Sequence, residues 1–214
     1  MLKIETFVVN PLSENCYVVS DPTGEGVIID CGAFSKEEFK QIEDYIETNG
    51  ILLKHALQTH MHFDHIFGLD FLFDRYALKP ECHELEAKTY ERNPQQAFDL
   101  CGIRLPLPEV GMGTFLKDGE KIAFGETVLT AIHTPGHTQG GLCFYCEAEG
   151  VLFSGDTLFQ GSVGRTDPPL GNYRKEIESI TNRILTLPAE TVVYPGHGPK
   201  TSVQYELKYN PFIR

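Results

Sequence analysis

Twice along this chain a meander of short β-rich runs is followed by a helix and then by a strand that ends at a histidine, and few architectures accommodate that repeat. In the first half the runs are Lys3 to Val9, Cys16 to Ser20 and Gly26 to Asp30, separated by Asn10-Pro11 and by the turn at Asp21 to Gly24. Ser35 with Glu38 three residues on makes a capping box, and Phe39, Ile42, Tyr45 and Ile46 follow at helical spacing until Asn49-Gly50. Ile51 to Gln58 then reads as a buried strand. Beyond the histidines that follow it, the pattern predicts a helix over Ile66 to Tyr76, a short strand over Pro80 to His83, and a mainly helical stretch from Glu84 to Leu105 that Pro94 interrupts. In the second half, strands are expected over Lys121 to Phe124, Thr127 to His133, Leu142 to Glu147 and Val151 to Ser154. Asn172 can cap a helix bearing Ile177, Ile180, Ile184 and Leu185, which Leu187-Pro188 ends. A last strand, Thr191 to Tyr194, runs into Pro195-Gly196-His197-Gly198. The repeat implies an α+β fold of two sheets packed face to face with helices outside, an αββα sandwich.

With 214 residues and no low-complexity linker, the chain is expected to form a single domain over 1-214. Its 18 basic and 30 acidic side chains give a net charge of -12, which argues against nucleic acid and anionic membranes as partners. The N-terminus carries no secretory pattern and no stretch is long enough to span a bilayer, so a cytoplasmic protein is expected. The six cysteines read as free thiols. Cys143 and Cys146 share a strand three residues apart and so should point to opposite faces, which is wrong for a redox or zinc pair.

The strongest chemical signal is Thr59-His60-Met61-His62-Phe63-Asp64-His65, four metal-capable side chains within six positions after an apolar strand. A compact loop there can turn His60 and His62 toward one point and Asp64 and His65 toward a neighbouring one, and imidazole with carboxylate suits zinc, iron or manganese. Three further groups follow strand ends: His137 in Thr134-Pro135-Gly136-His137, Asp156 in Ser154-Gly155-Asp156, and His197. A lone histidine in a turn is ordinarily a hydrogen-bonding loop residue; it is their joint placement that points to a site. His55, His83 and His133 have no partner at ligand spacing and read as structural.

In these motifs and their order the chain resembles the metallo-β-lactamase superfamily, whose signature is His-x-His-x-Asp-His followed by a distant His, Asp and His. The resemblance implies that His60, His62 and His137 hold one metal ion and Asp64, His65 and His197 a second, with Asp156 bridging. It also matches Asp30, in Ile28-Ile29-Asp30-Cys31-Gly32, to the aspartate that orients a ligating imidazole through its other nitrogen; read alone, Asp30 is a turn residue at a strand end. Within the superfamily the chain is similar to the glyoxalase II group of hydroxyacyl-thiol hydrolases, especially short bacterial members without the helical C-terminal domain. The residues that carry this are Ser154 to Phe159, Gly164-Arg165-Thr166-Asp167, Pro195 to Pro199 and Asn210-Pro211-Phe212. In full-length members the residue matching Arg165 binds glutathione with a nearby tyrosine that is not evident here. Arg165 is therefore a candidate clamp for a substrate carboxylate, or a pin for its own loop through Asp167.

Five neutral imidazoles and two carboxylates facing two divalent ions leave net positive charge, which favours acidic substrates. A hydroxide bridging the ions would attack a thioester carbonyl, and the thiolate would leave without a protein acid. Zinc is the expected metal, with iron or manganese as substitutes. The expected reaction is hydrolysis of hydroxyacyl thioesters such as S-lactoylglutathione. One alternative is a persulfide dioxygenase of the same superfamily, with a single iron held by His60, His137 and Asp156; another is a lactonase-type hydrolase. No base pairs with Ser154 or Cys16 in the sequence, which argues against covalent catalysis. Nothing in the sequence fixes the oligomeric state.

Overall fold

A computed structural model describes residues 1–213. The first sheet is built from β1 (Lys3–Val9), β2 (Glu14–Ser20), β3 (Glu25–Ile29), β4 (Leu52–Leu57), β5 (Pro80–His83) and β6 (Thr114–Leu116), adjacent in that order. Its first three strands are antiparallel and the rest join in parallel. The second sheet, with order β14-β13-β10-β9-β8-β7, contains β7 (Lys121–Phe124), β8 (Thr127–His133), β9 (Leu142–Cys146), β10 (Val151–Gly155), β13 (Val192–Pro195) and β14 (Thr201–Ser202). A small hairpin of β11 (Leu158–Phe159) and β12 (Ser162–Val163) projects from it.

The helices are α1 (Lys36–Thr48), α2 (Phe63–Ile66), α3 (Leu69–Tyr76), α4 (Ala87–Cys101), α5 (Tyr173–Ser179) and α6 (Val203–Tyr209). Strand alternation sorts the layers. Tyr17, Val19, Val27 and Ile29 of one sheet meet Leu129, Ala131, Phe144 and Phe153 of the other in the central core. The opposite faces are covered by helices: Cys16, Val18 and Ile28 by Phe39, Ile42 and Ile46 of α1, and Cys143, Leu152 and Val193 by Ile180 and Ile184 of a wider π-helical turn, Ile180–Ile184, that continues α5, and by Val203 of α6. This is the four-layer αββα sandwich. Cys143 and Cys146 fall in different cores, on opposite faces of β9, and all six cysteines are unpaired. No helix among the described residues is long and apolar enough to cross a membrane.

Three expectations need correction. The helix expected over Ile66 to Tyr76 is two helices, α2 and α3, because the chain must break at Gly68. Gly68 N donates to the Cys31 carbonyl at 2.9 Å, and a Cβ there would lie 2.6 Å from Cys31 Sγ. Asp64 and His65 sit on α2 rather than in a loop. Pro94 does not interrupt α4: Thr89, Tyr90, Asn93 and Ala97 are buried along one side of the helix, and Tyr90 Oη and Asn93 Nδ2 donate to the Pro108 and Met61 carbonyls at 2.7 Å. Those tertiary contacts outweigh the one hydrogen bond that proline removes.

The parallel pairs matter most for function. β3 and β4 run together, as do β10 and β13, so Asp30 with His60, and Asp156 with His197, emerge at carboxyl ends of neighbouring strands. The site lies in the crevice outside those ends, as open sheets with parallel strands favour.

Candidate metal centre

His60, His62 and His137 offer one nitrogen each within 4.8 Å of one another, and so do the donors of Asp64, His65 and His197. A third such group, Asp30, His60 and His65, links Asp30 to both sets. In the first set the rings stand 4.6–4.9 Å apart, at 81–90° to each other, like the faces of a corner. Asp156 lies between the sets: Oδ1 is 3.4 Å from His65 Nε2, and Oδ2 is 3.6 Å from His137 Nε2 and 3.7 Å from His197 Nε2. Its approach requires Gly196, where a Cβ would come 2.2 Å from Asp156 Oδ1.

Four of the five histidines, all but His62, have the nitrogen facing away from the centre held by an acceptor, which orients their rings. His137 Nδ1 donates to the Arg165 carbonyl at 2.7 Å, and His197 Nδ1 to the carbonyls of Leu12 and Ser13 at 3.1 and 3.2 Å. His65 Nδ1 donates to Asp30 Oδ2 at 3.1 Å. Thr59 Oγ1 gives its proton to Asp30 Oδ2 at 2.6 Å and so accepts from His60 Nδ1 at 3.0 Å. This turns the inward nitrogens of His60, His137 and His197 toward the centre as acceptors, and His137 Nε2 lies 2.9 Å from His62 Nδ1. His60 Nε2, His65 Nε2 and Asp156 Oδ1 are buried without a hydrogen-bond partner among the described residues. Buried orphan donors of this kind, backed by oriented outer partners, fit metal ions closing on nitrogen and oxygen at about 2.0–2.2 Å.

Electrostatics agrees. Burial pushes His60 well below the usual imidazole range, helped by His65 and His62, and burial with His137 takes His62 to about 3. Both are thus neutral ligands at pH 7. Burial opposes charge on His65 and on Asp156, but their mutual attraction, with Asp64 added on the carboxylate side, prevails: His65 is held well above its ordinary value and Asp156 well below. The carboxylates of the second set therefore favour positive charge, which a proton on His65 or an ion displacing that proton can supply.

Several supporting residues carry no sequence signal of their own. Glu86, fully buried, accepts from Met61 N at 2.9 Å and Gly140 N at 2.8 Å, joining the first histidine segment to the His137 loop. Glu176 accepts from His137 N at 2.7 Å, and burial pushes its carboxyl up to about 8. Asn15 and Tyr17 of β2 donate to the Pro195 carbonyl at 2.9 and 2.6 Å, and Asn15 also to that of Gly198, fixing the His197 turn. On a helix Glu86 and Glu176 read as solvated acids; only tertiary packing distinguishes them.

Above the donors opens a cavity of about 580 Å3 whose apolar walls include Leu12, Phe63, Leu100, Phe159 and Pro199. Arg165 lines it as well, but its Nε and Nη2 engage Asp167 at 3.0 and 2.7 Å, so the pin between the two is made. Among the histidines read as structural, His55 bonds Glu81 at 2.8 Å, His83 caps the turn at Glu84, and His133 stacks on His83.

Residues 9–197, which include every one of these donors, match the metallo-beta-lactamase superfamily. This chain belongs to that superfamily. It is 33% identical over 215 residues to hydroxyacylglutathione hydrolase GloC of Haemophilus influenzae, covering 99% of this chain and 98% of that one. Among solved structures it is similar to the BLEG-1 B3 metallo-beta-lactamase (TM-score 0.89, 32% identity, 100% and 99% of the two chains). TTHA1623 in a di-iron-bound form gives a TM-score of 0.84 with 35% identity, over 97% and 99%. ETHE1 from Myxococcus xanthus gives 0.79 with 26% identity, over 98% and 83%. The superfamily and its metallo-hydrolase relatives support a metal-dependent hydrolase, with histidine clusters that fit a dinuclear centre.

Proposed function

We propose that the chain hydrolyses hydroxyacyl thioesters such as S-lactoylglutathione at a dinuclear centre, most simply of zinc, with iron or manganese compatible with the same donors. The observation that carries this reading is the pair of adjacent donor sets joined by Asp156 beneath an apolar cavity. The relationship to GloC supports the substrate class. His60, His62 and His137 would hold one ion, Asp64, His65 and His197 the other, and Asp156 would contact both. When bound, the two ions supply water acidified toward neutrality and a Lewis acid for the carbonyl oxygen.

The chain's own residues do the rest. Asp30, Thr59 and the carbonyls of Arg165, Leu12 and Ser13 orient four of the five imidazoles, so little reorganisation accompanies reaction. Phe63, Leu12 and Phe159 seat the acyl group and exclude bulk water from one side. The leaving thiolate, with an ordinary pKa near 8.5, needs no protein acid. The substrate would be a small acidic thioester met in the cytoplasm, a compartment that suits six unpaired cysteines.

The single-iron dioxygenase is the second reading, and the likeness to the ETHE1 structure favours it. Metal content per chain, measured together with S-lactoylglutathione hydrolysis, separates the two. The expected result is close to two ions per chain with thiol release. One iron per chain, no thiol release and oxygen uptake with glutathione persulfide would overturn the hydrolase. Hydrolysis of lactones or β-lactams in preference to thioesters would keep the centre and change the substrate.

A further inference from the structure

The cavity over the donors continues into a side chamber of about 220 Å3, between α4 and the loop that follows Arg165. His62, Gln96, Leu100, Arg165 and Pro168 line both spaces, so one extended molecule can occupy them together. Arg92, Gln96 and Leu100 recur every fourth residue of α4 and form a stripe facing the chamber. The charged groups there are not equivalent. Arg165 is closed on Asp167, and Asp99, two turns beyond Arg92, accepts from Gln95 Nε2 at 2.7 Å. The Arg92 side chain has no hydrogen bond, ion pair or ring contact among the described residues, and the Gln96 side chain has no hydrogen bond. On a chain of net charge -12, this leaves an unpaired guanidinium beside the substrate cavity. The facing wall carries Leu170 at φ +80°, a conformation unfavourable for any residue with a Cβ and held by Gly171 N donating to the Pro168 carbonyl. Such strain persists where surrounding structure imposes it, and it concentrates at binding sites.

We infer that this chamber receives a carboxylate at the far end of the substrate, paired with Arg92 and hydrogen-bonded by the Gln96 amide, while the scissile carbonyl lies over the metal donors. Arg92 would be a specificity residue. The planar fork of arginine suits a carboxylate, and Arg165 cannot offer its own without releasing Asp167. The inference rests on the thioester reading for the reaction, though not for binding.

The test compares metal-loaded wild type with Arg92→Gln, an exposed substitution, and with Arg92→Lys. Calorimetry with S-methylglutathione, which bears carboxylates and cannot turn over, and with neutral S-methyl-N-acetylcysteamine reads binding alone. Steady-state hydrolysis of the S-lactoyl esters of glutathione and of N-acetylcysteamine reads the reaction. Arg92→Gln should weaken S-methylglutathione binding about tenfold and raise KM for the glutathione ester about as much, with kcat within about twofold and the neutral compounds unaffected. Arg92→Lys should restore part of the loss. Equal effects on charged and neutral compounds, or none on either, would overturn the chamber assignment and leave the hydrolase intact. Arg92-dependent binding of S-methylglutathione without hydrolysis of either ester would uphold the chamber and overturn the thioester reaction.

Discussion

Asp30 occupies the left-handed region at φ +53° and uses both carboxylate oxygens, Oδ1 for Thr59 N at 2.7 Å and Oδ2 for Thr59 Oγ1 and His65 Nδ1. Asparagine tolerates that backbone, so Asp30→Asn keeps the turn while removing the charge and replacing one acceptor oxygen by a donor. Binding of the second ion should weaken about 10–100-fold, read by competition against a chromophoric chelator. Unchanged affinity would reduce Asp30 to a turn residue. Glu86 makes a different case. Glu86→Ala leaves two buried N–H groups, of Met61 and Gly140, without their acceptor. A loss of about 2–4 kcal/mol in urea denaturation is expected, with Glu86→Gln closer to wild type because one acceptor remains. If Glu86→Ala unfolds at the wild-type midpoint, the carboxylate does not join the two segments.

At the scale of elements, His55 on β4 ties three strands: Nδ1 bonds Glu81 of β5 at 2.8 Å, and Nε2 reaches the Ala123 carbonyl of β7 in the other sheet at 3.2 Å. The hydrogen bond that His55 donates to Glu81 raises the His55 pKa against the opposing effect of burial. The native state thus binds this proton more tightly than the unfolded chain, whose histidine titrates near 6.5. The stabilisation is complete below that pH and lost as pH climbs through the raised native value. His55→Gln should therefore remove about 0.5–1 kcal/mol in urea titrations of metal-loaded protein at pH 5.5 and little at pH 8.5; a pH-independent difference would refute the pairing. Elements of this kind also show what the sequence made legible. β7 and β8 coincide with their expected bounds because Gly119 and Gly125 punctuate an alternating pattern, and the Ser35 box starts α1 as expected. Two- and three-residue strands such as β6, β11, β12 and β14 are too short to carry a period. The donor residues stood out because imidazoles cluster at strand ends. Glu86, Glu176 and Asn15 did not, since their partners are backbone groups distant in sequence.

For the whole molecule, the decisive feature is that the centre is shared between halves. His60, His62, Asp64 and His65 follow the first sheet's β4, whereas His137, Asp156 and His197 follow strands of the second. Protein bonds already cross this seam, from Leu142 N to the Thr59 carbonyl at 2.8 Å and from Asn15 N to that of Gly196 at 2.7 Å. Ions bound there would add cross-links that the unfolded chain cannot assemble, so metal should stabilise the fold by mass action. At free zinc a thousandfold above Kd the gain is about 4 kcal/mol for one site, reduced by whatever unfolded cysteines and histidines bind. Urea titration of chelator-treated and reloaded protein should show a single cooperative transition in each, with the apo midpoint lower. Asp156→Asn should shrink the difference, because one residue then contributes less to both donor sets. Identical midpoints with and without metal would mean that the donors do not close on ions across the seam. Two separate transitions in the apo protein would mean instead that the halves fold independently, and that the seam depends on metal rather than on the shared core of Tyr17, Phe144 and Phe153.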